Sequence, residues 1–287
     1  MINYTEYLKA QSFLDVCYHK LSEKESVFGL ILGISLRLVD DPYHYGDQAL
    51  FATISDNSKL IMAVVMTPPY KLQIALLDNA PVEESVCLLV SELYKRKWPV
   101  PAVVAEEKEA LAFETQWNAK TGTTSYHGKK QRIYELRNVN PIPDPGGELI
   151  QANIEDLDQA IKWRNAFHDE ILAESEPRLN DDQIKNKIIS ETLYFWKDPM
   201  PVSMAGLSRP TTHGISINDV YTAPEFREKG YASSLVAHLS QYALDHGKEF
   251  CSLYTDLANP TSNSIYQKIG YYPVADVMDV HFKPVIS

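Results

Sequence analysis

Between Asn138 and Glu148 the chain reads NVNPIPDPGGE, three prolines and two glycines in eleven residues. No helical or strand periodicity survives such a run. The stretch therefore divides 287 residues into two bodies of ordinary domain size: residues 1–140, a linker at 141–147, and residues 148–287. With 45% hydrophobic residues, each body has enough apolar material for a core of its own.

Beyond the break, GELIQA alternates like a strand, and NIEDLDQAIKWRNAFHDEI places Leu157, Ile161, Phe167 and Ile171 at helical spacing behind an Asn153 cap. A second helix opens at Asn180–Asp182 with Ile184, Ile188 and Ile189 inward. LYFWK and VSMAGLS read as an antiparallel pair, and GISINDVYT, Gly214 to Thr222, is a strand with isoleucines at period two. A helix from about Gly230 to His246 follows, then the strand FCSLYTD, then a short helix from Thr261 to Ile269 stopped by Gly270. YYPVADV and MDVHFKP supply a last strand pair. The order is β-α-α-β-β-β-α-β-α-β-β, an α/β fold with a mixed, mostly antiparallel twisted sheet and helices on both faces.

The first half repeats this plan loosely. FLDVCYHKL and SVFGLILGISLRL read as helices, ALFATISD, KLIMAVVMT and KLQIALL as strands, and VEESVCLLVSELYKR as a helix. PAVVAE is a strand, KEALAFETQWNAKTG a helix stopped by Gly122, and QRIYELRN a closing strand. Two copies of one architecture are expected.

A formal net charge of −11 repels polyphosphate backbones and anionic lipid surfaces, so nucleic acid and membranes are not expected as partners. The one cationic run, Lys95 to Lys97, reads as the solvated end of a helix. Cys17, Cys87 and Cys251 lack any CxxC spacing, and His213 and the other histidines show no ligand spacing, so neither disulfide nor metal is expected. MINYTEYLKAQSFLDVC carries acidic residues where a signal peptide needs a basic region, and no apolar run reaches the roughly 18 residues of a membrane span. A cytoplasmic location is the expectation.

The chemistry concentrates at Arg227 to Gln241, REKGYASSLVAHLSQ. Gly230 permits a positive φ at the mouth of the helix, Ala232 keeps the floor small, and the unsatisfied N–H groups of the first turn attract an anion. The pattern is neither a Walker A loop nor GxGxxG.

Gly214 to Phe282, with DVYTAPEFREKGYASSLVAHLSQ followed by LYTDLANPTSNSIYQKIGYYPV, resembles the GNAT superfamily of acyl-CoA-dependent N-acyltransferases. Three signals stand in family order: R-E-K-G-Y-A for the pyrophosphate loop, Asn259 after the next strand, and IYQKIGY for the tyrosine helix and its glycine. Alanine at 232 replaces the commoner second glycine. The resemblance implies that the backbone of Arg227, Glu228, Lys229, Gly230, Tyr231 and Ala232 holds the pyrophosphate of acetyl-CoA. It also implies that Val220, Tyr221 and Thr222 pair with the pantetheine arm and turn one N–H to the thioester carbonyl, in a slot where two central strands splay apart. Asn259 would hold the pantetheine amide, and Tyr266 would offer its hydroxyl to the sulfur. A strand N–H aimed at the carbonyl oxygen acts as an oxyanion donor, and a phenol can protonate the leaving thiolate.

Simpler roles stand beside these. Asn259 before Pro260 also reads as a helix cap, Tyr266 as a packing residue among 17 tyrosines, and Arg227 as a surface cation whose backbone matters more than its side chain. For a general base the sequence offers Asp219, Asn218, Asp256, and the acidic stretch with His168, Glu170, Glu174 and Glu176. If that stretch lines the site, its carboxylates favour a cationic amine.

The first half lacks the same equipment. At its corresponding helix mouth, LLDNAPVEESV carries Glu83 and Glu84, which repel a pyrophosphate, and QWNAKTG sets Asn118 where YQKIG has Tyr266. Residues up to about 140 therefore read as a degenerate copy kept for packing, for shaping the acceptor pocket, or for forming a homodimer. The expected activity is acetyl transfer from acetyl-CoA to a small-molecule or peptide amine by the C-terminal domain. The alternative is a non-catalytic CoA-binding module acting through a protein partner.

Overall fold

The structure is a computed structural model that describes residues 2–78, 80–172 and 177–283. In chain order the elements are β1 (Ile2–Tyr7), α1 (Ala10–Ser22), α2 (Gly29–Asp40), β2 (Leu50–Asp56), β3 (Lys59–Met66), β4 (Leu72–Leu76), α3 (Val82–Lys95), β5 (Ala102–Ala105), α4 (Glu107–Thr121) and β6 (Thr124–Leu136). Then come β7 (Glu148–Gln151), α5 (Leu157–Phe167), α6 (Asp181–Ile189), β8 (Leu193–Lys197), β9 (Pro201–Ser208), β10 (Gly214–Thr222), α7 (Tyr231–Asp245), β11 (Phe250–Asp256), α8 (Pro260–Ile269) and β12 (Tyr272–Lys283). The second ten elements follow the same β-α-α-β-β-β-α-β-α-β order as the first ten. It is a mixed α/β fold.

Two compact units result. The first holds residues 1–133, 256–258 and 275–287, and the second holds 134–255 and 259–274. Their limits differ from a cut at 141–147 in two ways. The Pro/Gly stretch belongs to the second unit and is pinned there: Gly146 donates its N–H to Asp144 Oδ1 at 2.8 Å, and its carbonyl accepts from Trp196 Nε1 at 2.9 Å. The tail is one strand of 12 residues, not a strand pair, and its residues 275–283 belong to the first unit. There Met278, Asp279, Val280 and His281 pair antiparallel with Ala105, Val104, Val103 and Ala102 of β5.

In the first unit β1 to β5 run in sequence order across the sheet with β12 beside β5. Period-two alternation sorts their side chains onto two faces. Leu50, Ala52, Ile54, Met62 and Val64 meet Val86, Leu89, Val90 and Leu93 of α3 and Phe113 and Trp117 of α4. Phe51, Ala63 and Val65 meet Phe13, Leu14, Leu21, Leu32 and Leu38 of α1 and α2.

The second unit repeats that layering. Its strands run β11-β10-β9-β8-β7, antiparallel except for the parallel β10–β11 pair. Tyr194, Trp196, Val202, Ile217 and Leu253 pack under α7 and α8, while Leu193, Phe195, Met204 and Tyr221 pack under α5 and α6. Burying such faces at about 25 cal/mol per Å² of apolar surface is the main stabilising contribution. Among the described residues, no helix is long and apolar enough to cross a membrane.

Candidate active site

The parallel ladder between β10 and β11 holds for three residue pairs, Gly214–Phe250, Ile215–Cys251 and Ser216–Ser252. β10 then continues to Thr222 and β11 to Asp256 without further pairing in register. Backbone groups on the facing edges past Ser216 have no partner in that ladder, which leaves them open to water, to side chains or to a ligand. On its other edge β10 stays paired with β9 but breaks register between Asn218 and Tyr221, a bulge in which Asp219 takes φ +53°. Bulges of this kind re-aim a strand.

Val220 falls inside the bulge, and Tyr221 and Thr222 resume pairing with Met204 and Ser203. Ser203 fixes this end of the strand, donating to the Tyr221 carbonyl at 2.9 Å and lying 2.8 Å from the Thr222 hydroxyl. A 3-10 turn, Pro224–Phe226, leads from there to α7.

At the mouth of α7, Gly230 has φ +88° and ψ −6°. A Cβ there would meet only Pro145, at 3.7 Å, so the dihedral and not the space calls for glycine. Glu228 also has positive φ, +62°. Helical bonding in α7 begins with Ser234 N–H donating to the Gly230 carbonyl at 3.0 Å, and no side chain caps the end. The amides of Tyr231, Ala232 and Ser233 stand ahead of that first bond, with no acidic residue in the turn. The amide of Arg227 is already spent on the Pro224 carbonyl at 3.3 Å. That narrows the expected anion cradle to residues 228–233.

The Arg227 side chain is a brace. Its Nε donates to the Thr222 carbonyl at 2.9 Å, and its Nη2 reaches both carboxylate oxygens of Glu170 at 3.0 and 2.7 Å. Glu170 also accepts from the Tyr221 hydroxyl at 3.4 Å. Lys229 bonds the Glu225 carbonyl at 3.3 Å, and the Tyr231 hydroxyl donates to Asp198 at 2.7 Å.

Asn259 is the N-cap of α8: its Oδ1 accepts from Ser262 N–H at 3.0 Å, and Pro260 takes the first helical position. Its carboxamide oxygen is thus committed to the helix. Tyr266 is 8% exposed, set among Tyr134 and Tyr271 with ring centroids 6.4 and 6.0 Å away. Burial pushes its phenol up to about 12. A buried phenol held neutral at physiological pH can donate a proton without first acquiring one.

The candidate bases separate. Asp219 is buried between Arg164 Nε at 3.3 Å and Lys187 Nζ at 2.9 Å. Burial alone would raise its pKa; the charges of Lys187, Arg164 and Arg209 outweigh that and hold it low, which makes it a poor proton acceptor. Asp256 belongs to the first unit, where its Oδ1 accepts from Ala258 N–H at 2.8 Å. His168 is buried on the turn after α5, with Nδ1 3.4 Å from Asp169. Glu174 and Glu176 lie outside the described residues. Among the described residues, no group of side chains has the make-up of a metal site.

The counterpart positions in the first unit are filled differently. Glu83 and Glu84 occupy the first turn of α3. Asn118 and Tyr266 each stand four residues ahead of a left-handed glycine cap, Gly122 and Gly270. Asn118 is engaged locally, donating to Ser125 at 2.8 Å and accepting from Thr123 at 2.9 Å.

Sequence reasoning passed over Arg164, Lys187 and Arg209. Their signal was a cation on an apolar face: Arg164 beside Trp163 on the buried side of α5, and Lys187 on the stripe made by Ile184 and Ile188.

Residues 157–271 match the acetyltransferase (GNAT) family. No curated protein matches the chain. Among solved structures, a GNAT-family acetyltransferase from Colwellia psychrerythraea is 14% identical with TM-score 0.55, covering 99% of this chain and 100% of that one. A GCN5-related N-acetyltransferase from Sphaerobacter thermophilus is 13% identical with TM-score 0.59, covering 98% and 95%. A tandem GNAT protein from the clavulanic acid biosynthesis pathway is 11% identical with TM-score 0.55, covering 99% and 98%. At these identities the likeness is one of fold. Residues 157–271 thus match the GNAT acetyltransferase family, and nearly the whole chain shares the fold of GNAT structures.

Proposed function

We propose that the second unit transfers an acetyl group from acetyl-CoA to an amine. The observation that carries this reading is the ladder between β10 and β11 that stops after Ser216 and Ser252, on the strand that leads to the uncapped mouth of α7. Bound acetyl-CoA supplies an acyl group activated as a thioester. The chain's residues do the rest: amides 228–233 receive phosphate oxygens, and the open edge of β10 offers N–H groups to the pantetheine arm and to the carbonyl oxygen. The phenol of Tyr266 holds the proton that the sulfur would take up as the C–S bond breaks, and the proton lost by the acceptor nitrogen as the amide bond forms would restore the phenol by way of solvent. An acceptor amine approaches from the α5–α6 side, where Glu170 is held by Arg227 and Tyr221. The residues present fit the cofactor, because the first turn of α7 offers unbonded amides and no carboxylate.

Two measurements test this. Acetyl-CoA at about a hundred times its Kd stabilises the native state by roughly 2.7 kcal/mol, a saturable thermal shift. Tyr266→Phe is expected to keep that shift and to lower kcat by about 10² to 10⁴, measured as thiol release. Absence of the shift in the wild-type protein would sink the cofactor reading, and an unchanged kcat in the variant would return Tyr266 to packing.

A further inference from the structure

The bulge on β10 carries a charge imbalance that the acyl-transfer reading leaves unused. Asp219 is 6% exposed in a left-handed conformation, and three cations act on it: Arg164 from α5, Lys187 from α6, and Arg209 from the loop just after β9. A carboxylate meeting one cation makes a salt bridge; one meeting three leaves positive charge over. Arg164 is buried and Lys187 and Arg209 are half-buried, and positive charge withdrawn from water without a counterion is costly.

The hydrogen bonding points the same way. Arg164 is 6% exposed, and its Nε and Nη1 are buried without an aligned acceptor, although Nε stands at ion-pair distance from Asp219. Arg209 Nε is likewise buried and unsatisfied, with its guanidinium 5.7 Å from the centre of the Tyr254 ring. Guanidinium donors left over in a fixed fork match the oxygens of a carboxylate.

Position gives the cluster a role. Asp219 and Tyr254 both follow the last paired residues of their strands, Ser216 and Ser252, and so stand on the segments that have parted. Val220, which the reading above sets against the pantetheine arm, is the next residue after Asp219. We propose that Arg164, Lys187 and Arg209 form an anion subsite which binds a carboxylate of the acceptor, so that the acceptor is an amine that also bears a carboxylate. This deepens the acyl-transfer reading and rests on it for the word acceptor; the anion subsite itself does not. Asp219 keeps the three cations in place and leaves the cluster two negative charges short of neutral.

The test uses small carboxylates as probes. Sodium formate and sodium acetate are titrated against the full-length protein in a thermal-shift experiment, with sodium chloride at matched ionic strength as reference. The expected result is a saturable upward shift with both carboxylates beyond that with chloride, absent in Lys187→Met and retained in Lys185→Met, an exposed lysine on the same helix. Equal behaviour of carboxylate and chloride in the wild-type protein overturns the subsite and leaves the cluster as a pin between two helices and a strand. A shift that persists in Lys187→Met also overturns it; should that variant not fold, Arg209→Met takes its place. Thiol release with α-amino acids against their carboxamides then reads the acceptor claim, with the acids favoured by at least about tenfold in kcat/KM. An equal rate for acid and carboxamide overturns that claim. Loss of the acetyl-CoA shift alone, with the carboxylate shift intact, would count against the acyl-transfer reading and not against the subsite.

Discussion

Tyr266 shows how a residue's surroundings set what it can do. Its phenol rises to about 12 through burial, while an unfolded tyrosine ionises near 10. The native state therefore keeps a proton that the unfolded state gives up between pH 10 and 12. Its contribution is intact below pH 10 and falls by about 1.4 kcal/mol per pH unit from there to about pH 12, above which it is lost. Alkaline unfolding followed by circular dichroism is expected to be shallower in Tyr266→Phe than in the wild type, and equal slopes would mean the ring is wetter than described. In the first unit, Asp279 is a second buried carboxylate, paired with Lys71 and 3.7 Å from His281. Lys71→Met strands that charge and should cost about 3 to 5 kcal/mol in denaturant unfolding, whereas a loss under 1 kcal/mol would show that water reaches the site.

At the scale of elements, the two repeats make a natural exchange experiment. Glu83 and Glu84 are the second and third residues of α3, as Ala232 and Ser233 are of α7. Placing glutamates at 232 and 233 complements the helix dipole, adding about 0.3 to 1 kcal/mol per charge, yet sets carboxylates where phosphate should sit. The expected outcome is an unchanged or higher Tm together with at least tenfold weaker acetyl-CoA binding; retained affinity would move the phosphates elsewhere. The sequence disclosed most elements because their signals are local: Gly122 and Gly270 end helices in left-handed caps, and Asn153 and Asn180 begin them. Asn259 was read for a ligand as well as for a cap, and its oxygen proved to serve the cap. β1 went unread, since INYTEY is half-exposed and depends on its pairing with β2. The charge cluster around Asp219 draws on three elements and a loop, and nothing local in any of them announces the others.

For the molecule as a whole, the tail matters most. Met278, Val280 and Phe282 are buried in the core shared by α3 and α4, and the strand carrying them closes the first unit beside β5. Removing residues 275–287 is therefore expected to melt the first unit, far away in sequence, with new protease cleavage appearing within residues 1–133. Cleavage confined to the second unit would contradict that arrangement. A strand pair was expected in this tail, but YYPVADVMDVHFK has no Asn-Gly or Gly-X turn to fold it back. What it pairs with lies more than a hundred residues upstream, beyond the reach of any local pattern.

That arrangement has a consequence for how the protein is made. Chains of several domains usually fold from the N-terminus as they leave the ribosome, at about 5 to 20 residues per second. Here the first unit must wait until residues 134–274 have been synthesised before the strand that covers β5 exists. During that interval Val103 and its neighbours present an open strand edge, so a nascent chain stalled before residue 275 is the form most in need of a chaperone.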